Sequence, residues 1–481
     1  MYSSRNSAFV KKLNDIASSK SIRTHTPIHA GSNLFLPRSF NNLFKYDLSE
    51  LNGLDDLHNP EGLIKKIQED SAELFQVEET YLSVNGASGC LMAACLALGE
   101  GGKVLVPMNA HKSVLSGLIL SGADPIWYEP EWDKEWGVYR DIDINKIEDL
   151  IRSNKDIKGC FVTSQTYEGI QCKLDRLVEV CHENNIPVIA DESHGAHLSL
   201  LGNGVGAINS CADLIIHSGH KSLGSLTQTG LMHFQSELMN SKKVAACMSL
   251  LQTTSPSYLL LASLIETLSH LKRSLNPLIK QALTSQNLRA QLRQIEGIDF
   301  LENNDPSRLV ISLKDWGGEE LSNWLYDNYK IETELHGNKW ILLLVGFDVK
   351  SHRLRQLKRI FKIAVALKKT KKEKEESIIA QFAEKKSFKS VLNPRRGFFL
   401  SDNPKIRFKC PPGIPVDFPG YKEFIPPIAQ PSKAASSTVN NNQVKKEDYF
   451  EEVYEDDIYE ELDEVPYTPS SGGEKFVDSY K

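Results

Sequence analysis

The chain has 481 residues, 41% hydrophobic and 25% charged, a composition ordinary for a globular protein with sizeable cores and one that excludes general disorder. The formal net charge of -6 is set by one segment: residues 447–464 hold eleven acids and no base, which leaves the remainder at +5, too weakly basic to argue for nucleic acid. No apolar run approaches the roughly 20 residues of a membrane span, so no membrane partner is expected.

The N-terminal stretch MYSSRNSAFVKKLNDIASSK has no apolar h-region and no small-residue cleavage site, so no secretory signal is read and a cytoplasmic location is expected. Residues 1–30 are expected to form an N-terminal arm. Between about 80 and 235, short β-branched runs alternate with helical ones: TYLSV, a helix from Ala87, GKVLVP, a helix from about His111, then DPIWYEP, KGCFVTS, IPVIADES, DLIIHS and GLMHF. This spacing predicts an α/β layer with a mostly parallel sheet, within a large domain over 31–290. Chemistry is then expected on the loops at the strand ends.

From about 243 to 295 apolar residues recur at three- and four-residue spacing, which predicts helices leading to a second domain over 291–430. That domain reads as α+β: IDFLENNDPSRLVISL, a strand pair turning at HGN, and a charged helix from Ser351 whose lysines form a solvated face. CPPGIPVDFPGYKEFIPP is too rich in Pro and Gly for regular structure, and residues 431–481 read as an acidic, disordered tail. The eight cysteines never form a C-x2-C pair, so packed free thiols are expected rather than disulfides or zinc.

Four strand-to-loop junctions carry the chemistry. In SVNGASGCLMAAC, Ser88 and Gly89 fall at a helix N-terminus, where unpaired N–H groups and the helix dipole favour phosphate; a plain glycine turn is the other reading. In MNAHKSV, His111 either faces water or stacks its flat ring on a planar ligand. In VIADESHGAH, Asp191 ends an apolar strand, where a carboxylate needs a cationic partner or strong donors, and it suits holding a heterocyclic nitrogen protonated; capping the following turn is the other reading. In HSGHKSLGSLTQTG, Lys221 follows two histidines and a serine, surroundings that lower an amine's pKa and make it a nucleophile for carbonyls. Together these describe a phosphate cradle, a stacking group, a carboxylate for a ring nitrogen and an amine for an aldehyde, which are the requirements of pyridoxal 5'-phosphate.

The order of these motifs resembles the Orn/Lys/Arg decarboxylase family in its short form, among the fold-type-I pyridoxal phosphate enzymes. ADESHGAHL followed by HSGHKSLGSLTQTGLMH carries the likeness, with THTPIHAGSN, LNGLDDLHNPEGLIKKIQ, VNGASG, MNAHKSV, TTSPSYLLLASL and PPGIPVDFPG in support, over about 24–425. The resemblance implies a large domain with a seven-stranded sheet between helices and a smaller C-terminal domain. It implies that Lys221 forms the Schiff base, Asp191 pairs with the pyridine nitrogen, His111 stacks on the ring, and Ser88, Gly89 and Ser218 hold the phosphate. His194 and His220 would lie near the reacting centre. A homodimer or higher homo-oligomer with shared sites is implied too, with Thr254 and Ser255 lending a phosphate contact to the neighbouring subunit. Ser193, Ala87, Gly219 and Tyr421 depart from the family's usual alanine, hydroxyl residue, threonine and glutamate.

The expected activity is decarboxylation of arginine, lysine or ornithine, with the cofactor as electron sink and Lys221 or His220 returning a proton to the α-carbon. A transaminase or carbon-sulfur lyase on the same fold stays open at this point, as does a non-catalytic cofactor-binding protein. A metal hydrolase using Asp191, His194, His197, His217 and His220 leaves Lys221 and VNGASG unexplained, so no metal is expected.

Overall fold

The computed structural model describes residues 6–202 and 206–369, all within one compact unit. The PPGIPVDFPG stretch, Tyr421, Cys410 and the acidic tail lie outside the described residues.

The strands in chain order are β1 (Glu79–Ser83), β2 (Lys103–Pro107), β3 (Asp124–Tyr128), the short pair β4 (Trp132–Asp133) and β5 (Val138–Tyr139), then β6 (Ile157–Thr163), β7 (Val188–Asp191), β8 (Leu214–Ser218) and β9 (Gly230–Phe234). Seven of them form one sheet in the order β1-β9-β8-β7-β6-β2-β3. β3, β2, β6, β7 and β8 run parallel, whereas β9 is antiparallel to both β8 and β1. Every residue of β7, β8 and β9 is buried, the signature of strands covered on both faces. One apolar cluster (Leu91, Val106, Ile189, Ile216, Met232) fills one side, and a second (Leu105, Cys160, Val188, Ile215) fills another. These are the seven runs expected from the sequence, arranged as a mostly parallel sheet flanked by helices.

Within the N-terminal segment, the helix Ala8–Ser18 buries Phe9 and Leu13 against Tyr258 and its neighbours. The helical region near 243–295 is three helices, Ser241–Leu251, Tyr258–Arg273 and Asn276–Leu292. Pro256 falls in the first break and Pro277 opens the third helix, where a missing N–H costs nothing. Beyond them a second, antiparallel sheet runs β10 (Ile298–Phe300), β11 (Arg308–Leu313), β13 (Trp340–Leu344), β12 (Leu335–His336), and the β12–β13 hairpin turns at the expected HGN. The charged helix begins at Ser351 as expected and is described to Lys369.

The described cysteines are all free; Cys90, Cys95, Cys160, Cys172 and Cys181 are buried, as packed thiols should be. No helix among the described residues is long and apolar enough to cross a membrane.

Candidate active site

The predicted residues converge where β7, β8 and the helix Gly86–Leu98 meet. That helix follows β1 through a tight turn in which the Ser83 hydroxyl bonds the Gly86 carbonyl and the Asn85 N–H. Asn85 occupies the cap position, yet its side chain is turned away and donates to the Leu251 carbonyl at 3.1 Å. The first-turn N–H groups, those of Ala87 and Ser88 among them, are therefore left for an outside acceptor. Opposite lies the start of β9, where a Cβ on Gly230 would fall 2.6 Å from the Gly86 carbonyl carbon and 2.7 Å from the Ala87 nitrogen. Only glycine lets strand and helix start approach this closely.

Asp191 ends β7 and is 7% exposed. Its Oδ1 accepts from the Ser193 N–H at 3.1 Å and from the Ser193 hydroxyl at 2.5 Å, while Oδ2 has no hydrogen-bonding partner among the described residues. Ser193, a departure from the family pattern, thus anchors one carboxylate oxygen and leaves the other open. His111 caps the helix Lys112–Ser121, its Nδ1 accepting from the Ser113 N–H at 3.2 Å and hydroxyl at 2.9 Å. Burial pushes the His111 pKa down, Asp191 opposes this, and Lys221 adds to it.

Lys221 sits on the single turn Gly219–Ser222 directly after β8. Its Nζ lies 3.0 Å from His194 Nε2 and 5.5 Å from the centre of the Tyr167 ring. Burial lowers its pKa, and nearby Arg308 lowers it further against the pull of Asp191. His194 is 6% exposed, packs on Tyr167 with centroids 4.3 Å apart, and has its pKa pushed well down by burial first and by Arg308 second. Ser218 is buried at the end of β8, its N–H donating to the Ser193 carbonyl at 3.3 Å. His220, the residue before Lys221, turns to the Thr229 carbonyl at 3.2 Å, and burial lowers its pKa.

Gly219 also gains a physical account. A Cβ there would meet Ser225 Oγ at 2.5 Å, Leu264 Cδ1 at 2.9 Å and Thr229 Oγ1 at 2.9 Å. The Ser225–Thr229 hydroxyl pair, 2.6 Å apart, occupies the space that a side chain would need.

The structure thus gathers Lys221, His194, Asp191, His111, Ser218 and the helix start carrying Ser88 and Gly89 at one end of the sheet. It does not bring Thr254 or Ser255 to them: both are exposed, and no hydrogen bond joins them to the site within this chain. His197 and His217 point elsewhere, His197 to Asp305 at 2.9 Å and His217 to Glu192 at 3.2 Å. Among the described residues no group of three or more His, Cys, Asp or Glu is placed to hold a metal. Sequence reasoning missed Tyr167 and Arg308. Tyr167 follows KGCFVTS at a strand end like the others, and a lone arginine opening the apolar run of β11 was a signal for a buried, paired cation.

The open first-turn donors, the unpaired Asp191 Oδ2 and the half-buried amine of Lys221 fit the phosphate, ring nitrogen and aldehyde of pyridoxal phosphate.

Residues 7–347 match the family model described as Orn/Lys/Arg decarboxylase, major domain. The arginine decarboxylase of Bacillus anthracis is 34% identical over 431 residues, 83% of this chain and 87% of that protein. That of Bacillus subtilis is 36% identical over 338 residues, 66% of this chain and 69% of that protein. Among solved structures, a lysine decarboxylase from Francisella novicida matches with a TM-score of 0.65 at 19% identity, covering 76% of this chain and 60% of that one. The chain therefore spans about three fifths of that structure's length, and the likeness shows the fold, which is fold type I.

Proposed function

Given that this chain belongs to the Orn/Lys/Arg decarboxylase family, we propose that it decarboxylates a basic amino acid with pyridoxal 5'-phosphate, and that arginine is the substrate. The relatives named above at 34% and 36% identity are both arginine decarboxylases, which supports arginine over lysine and ornithine. The observation that carries the reading is the Lys221 amine, its pKa lowered by burial, held 3.0 Å from a buried histidine at the strand end that also presents Asp191.

When bound, the cofactor supplies the sink for the electron pair released as CO2 departs. The residues of this chain do the rest. Lys221 Nζ would engage the aldehyde, and the Asp191 carboxylate would hold a proton on the ring nitrogen. The first-turn N–H groups of Ala87 and Ser88, with the Ser88 and Ser218 hydroxyls, would bind the phosphate, whereas the Gly89 N–H, expected to join them, is taken by the Asn85 carbonyl at 3.2 Å. His111 stacks on the ring. Lys221 Nζ would take a proton from the incoming substrate ammonium and return it to the α-carbon.

Borohydride reduction of purified protein followed by peptide mapping checks the lysine. A label on any lysine other than Lys221 ends this assignment. Incubation with arginine, lysine and ornithine should yield CO2 and agmatine, with little cadaverine or putrescine.

A cytoplasmic homodimer completes the proposal. Thr254 and Ser255 are exposed on this chain, which supports a role in the partner's site. Mixing the inactive Lys221→Ala variant with a Ser255→Ala variant should restore an intact site in the mixed dimer and raise activity above either parent. Sites confined to one chain would show no such gain.

A further inference from the structure

Arg308 opens β11 in the small sheet, yet the residue is 1% exposed and its guanidinium lies against the candidate site. Nε donates to Asp305 Oδ2 at 2.9 Å, Nη1 to the Tyr167 carbonyl at 2.9 Å, and Nη2 to His194 Nδ1 at 2.8 Å. Asp305 is fixed in turn by His197 at 2.9 Å, the Ser307 hydroxyl at 2.6 Å and the Gln165 amide at 2.7 Å. The guanidinium therefore has little freedom to turn.

This arrangement decides where the proton of His194 sits. A guanidinium has donors only, so His194 Nδ1 must receive with its lone pair, and the one proton of the neutral ring is on Nε2. Nε2 faces Lys221 Nζ at 3.0 Å. An ammonium there would set donor against donor, because it has no lone pair to accept with. A neutral amine accepts the Nε2–H and completes the contact. The opposite tautomer would set Nδ1–H against the guanidinium N–H, and an imidazolium would add a buried like-charge clash. The other charges reaching Lys221 are Asp191 and Glu334, and both favour the ammonium. Burial and the Arg308 charge act against them, and the Nε2–H contact adds a local preference for the free amine.

We propose that Arg308 is a positioning residue: by donating to His194 Nδ1 it locks the Nε2–H tautomer, and the ring so fixed holds Lys221 as the free amine. The relay runs Asp305, Arg308, His194, Lys221, and it rests on the reading of Lys221 as the cofactor's lysine.

The test uses full-length protein freed of cofactor and labelled with ring-15N histidine, the His194 signals being assigned by their loss in His194→Gln. Wild type should show an unprotonated Nδ1 and a protonated Nε2 across the pH range in which exposed histidines titrate. Arg308→Met, which removes the donor, should lose this single-tautomer signature. A wild-type ring protonated on Nδ1, or an Arg308→Met ring unchanged from wild type, overturns the relay. Should Arg308→Met fail to fold, the wild-type spectrum decides alone. These spectra are read without cofactor, so failure of the relay is distinguishable from failure of the Lys221 assignment, which borohydride mapping reads separately.

Discussion

At the scale of single residues, the departures from the family pattern separate into those with a local partner and those without. Ser193 replaces a usual alanine and gives Asp191 a second anchor at 2.5 Å. Gly219 replaces a frequent threonine, and the reason is the Ser225–Thr229 hydroxyl pair rather than backbone conformation. Gly219→Thr should therefore destabilise the protein by about 1–3 kcal/mol, the usual cost of forcing atoms into a packed site. Ser225→Gly in the same chain removes the nearest obstacle, at 2.5 Å, and should return part of that loss. Denaturant unfolding of both single variants and the double variant checks this, since coupled neighbours are non-additive. Additive losses would sink the explanation. Nothing in the structure explains Ala87 in place of a hydroxyl residue.

At the scale of elements, the seven strands of the large sheet were legible because each is a short apolar run ended by a polar junction, and the buried β7, β8 and β9 are nearly unbroken ones. The antiparallel insertion of β9 was not legible, since periodicity records burial and not direction. The site was legible for the same reason as the fold: Asp191, Ser218 and Lys221 stand at strand ends. What the sequence could not show were contacts made between the two sheets, such as Arg308 reaching His194, because they join residues far apart in the chain. The approach of β9 to the helix Gly86–Leu98 gives an element-scale prediction. In Gly230→Ala the new methyl meets backbone atoms at 2.6 and 2.7 Å, so strand or helix start must shift. That shift moves the first-turn donors, and cofactor affinity should fall about tenfold or more, tenfold being roughly 1.4 kcal/mol. Titration of cofactor-free protein with pyridoxal phosphate, followed by absorbance, reads it.

At the scale of the whole molecule, the two sheets are held together by a polar seam beside the site. The Trp340 ring N–H donates to the Trp136 carbonyl at 2.8 Å and the Asn303 amide bonds the Glu168 carbonyl, but its centre is Asp305. This carboxylate is fully buried and binds Gln165 and His197 beside the seven-stranded sheet and Ser307 and Arg308 at the four-stranded one. Burial alone would raise its pKa; the His197 and Arg308 charges and the Ser307 hydroxyl outweigh that and hold it well below the ordinary carboxylate value. The sign of the linkage follows. The unfolded chain takes up the proton more readily than the folded one, so the stability Asp305 contributes is fully present above its unfolded pKa, about 3.9. It is lost as pH falls below that value towards the folded pKa. Asp305→Asn should flatten the acid limb of stability against pH in that window, and at neutral pH should cost about 3–5 kcal/mol by leaving Arg308 buried without its counter-charge. Urea unfolding at a series of pH values separates the two effects. If the variant loses stability at neutral pH while its acid limb keeps the wild-type slope, Asp305 supports the seam by shape and hydrogen bonding, and the charge that fixes Arg308 against the active site must come from elsewhere.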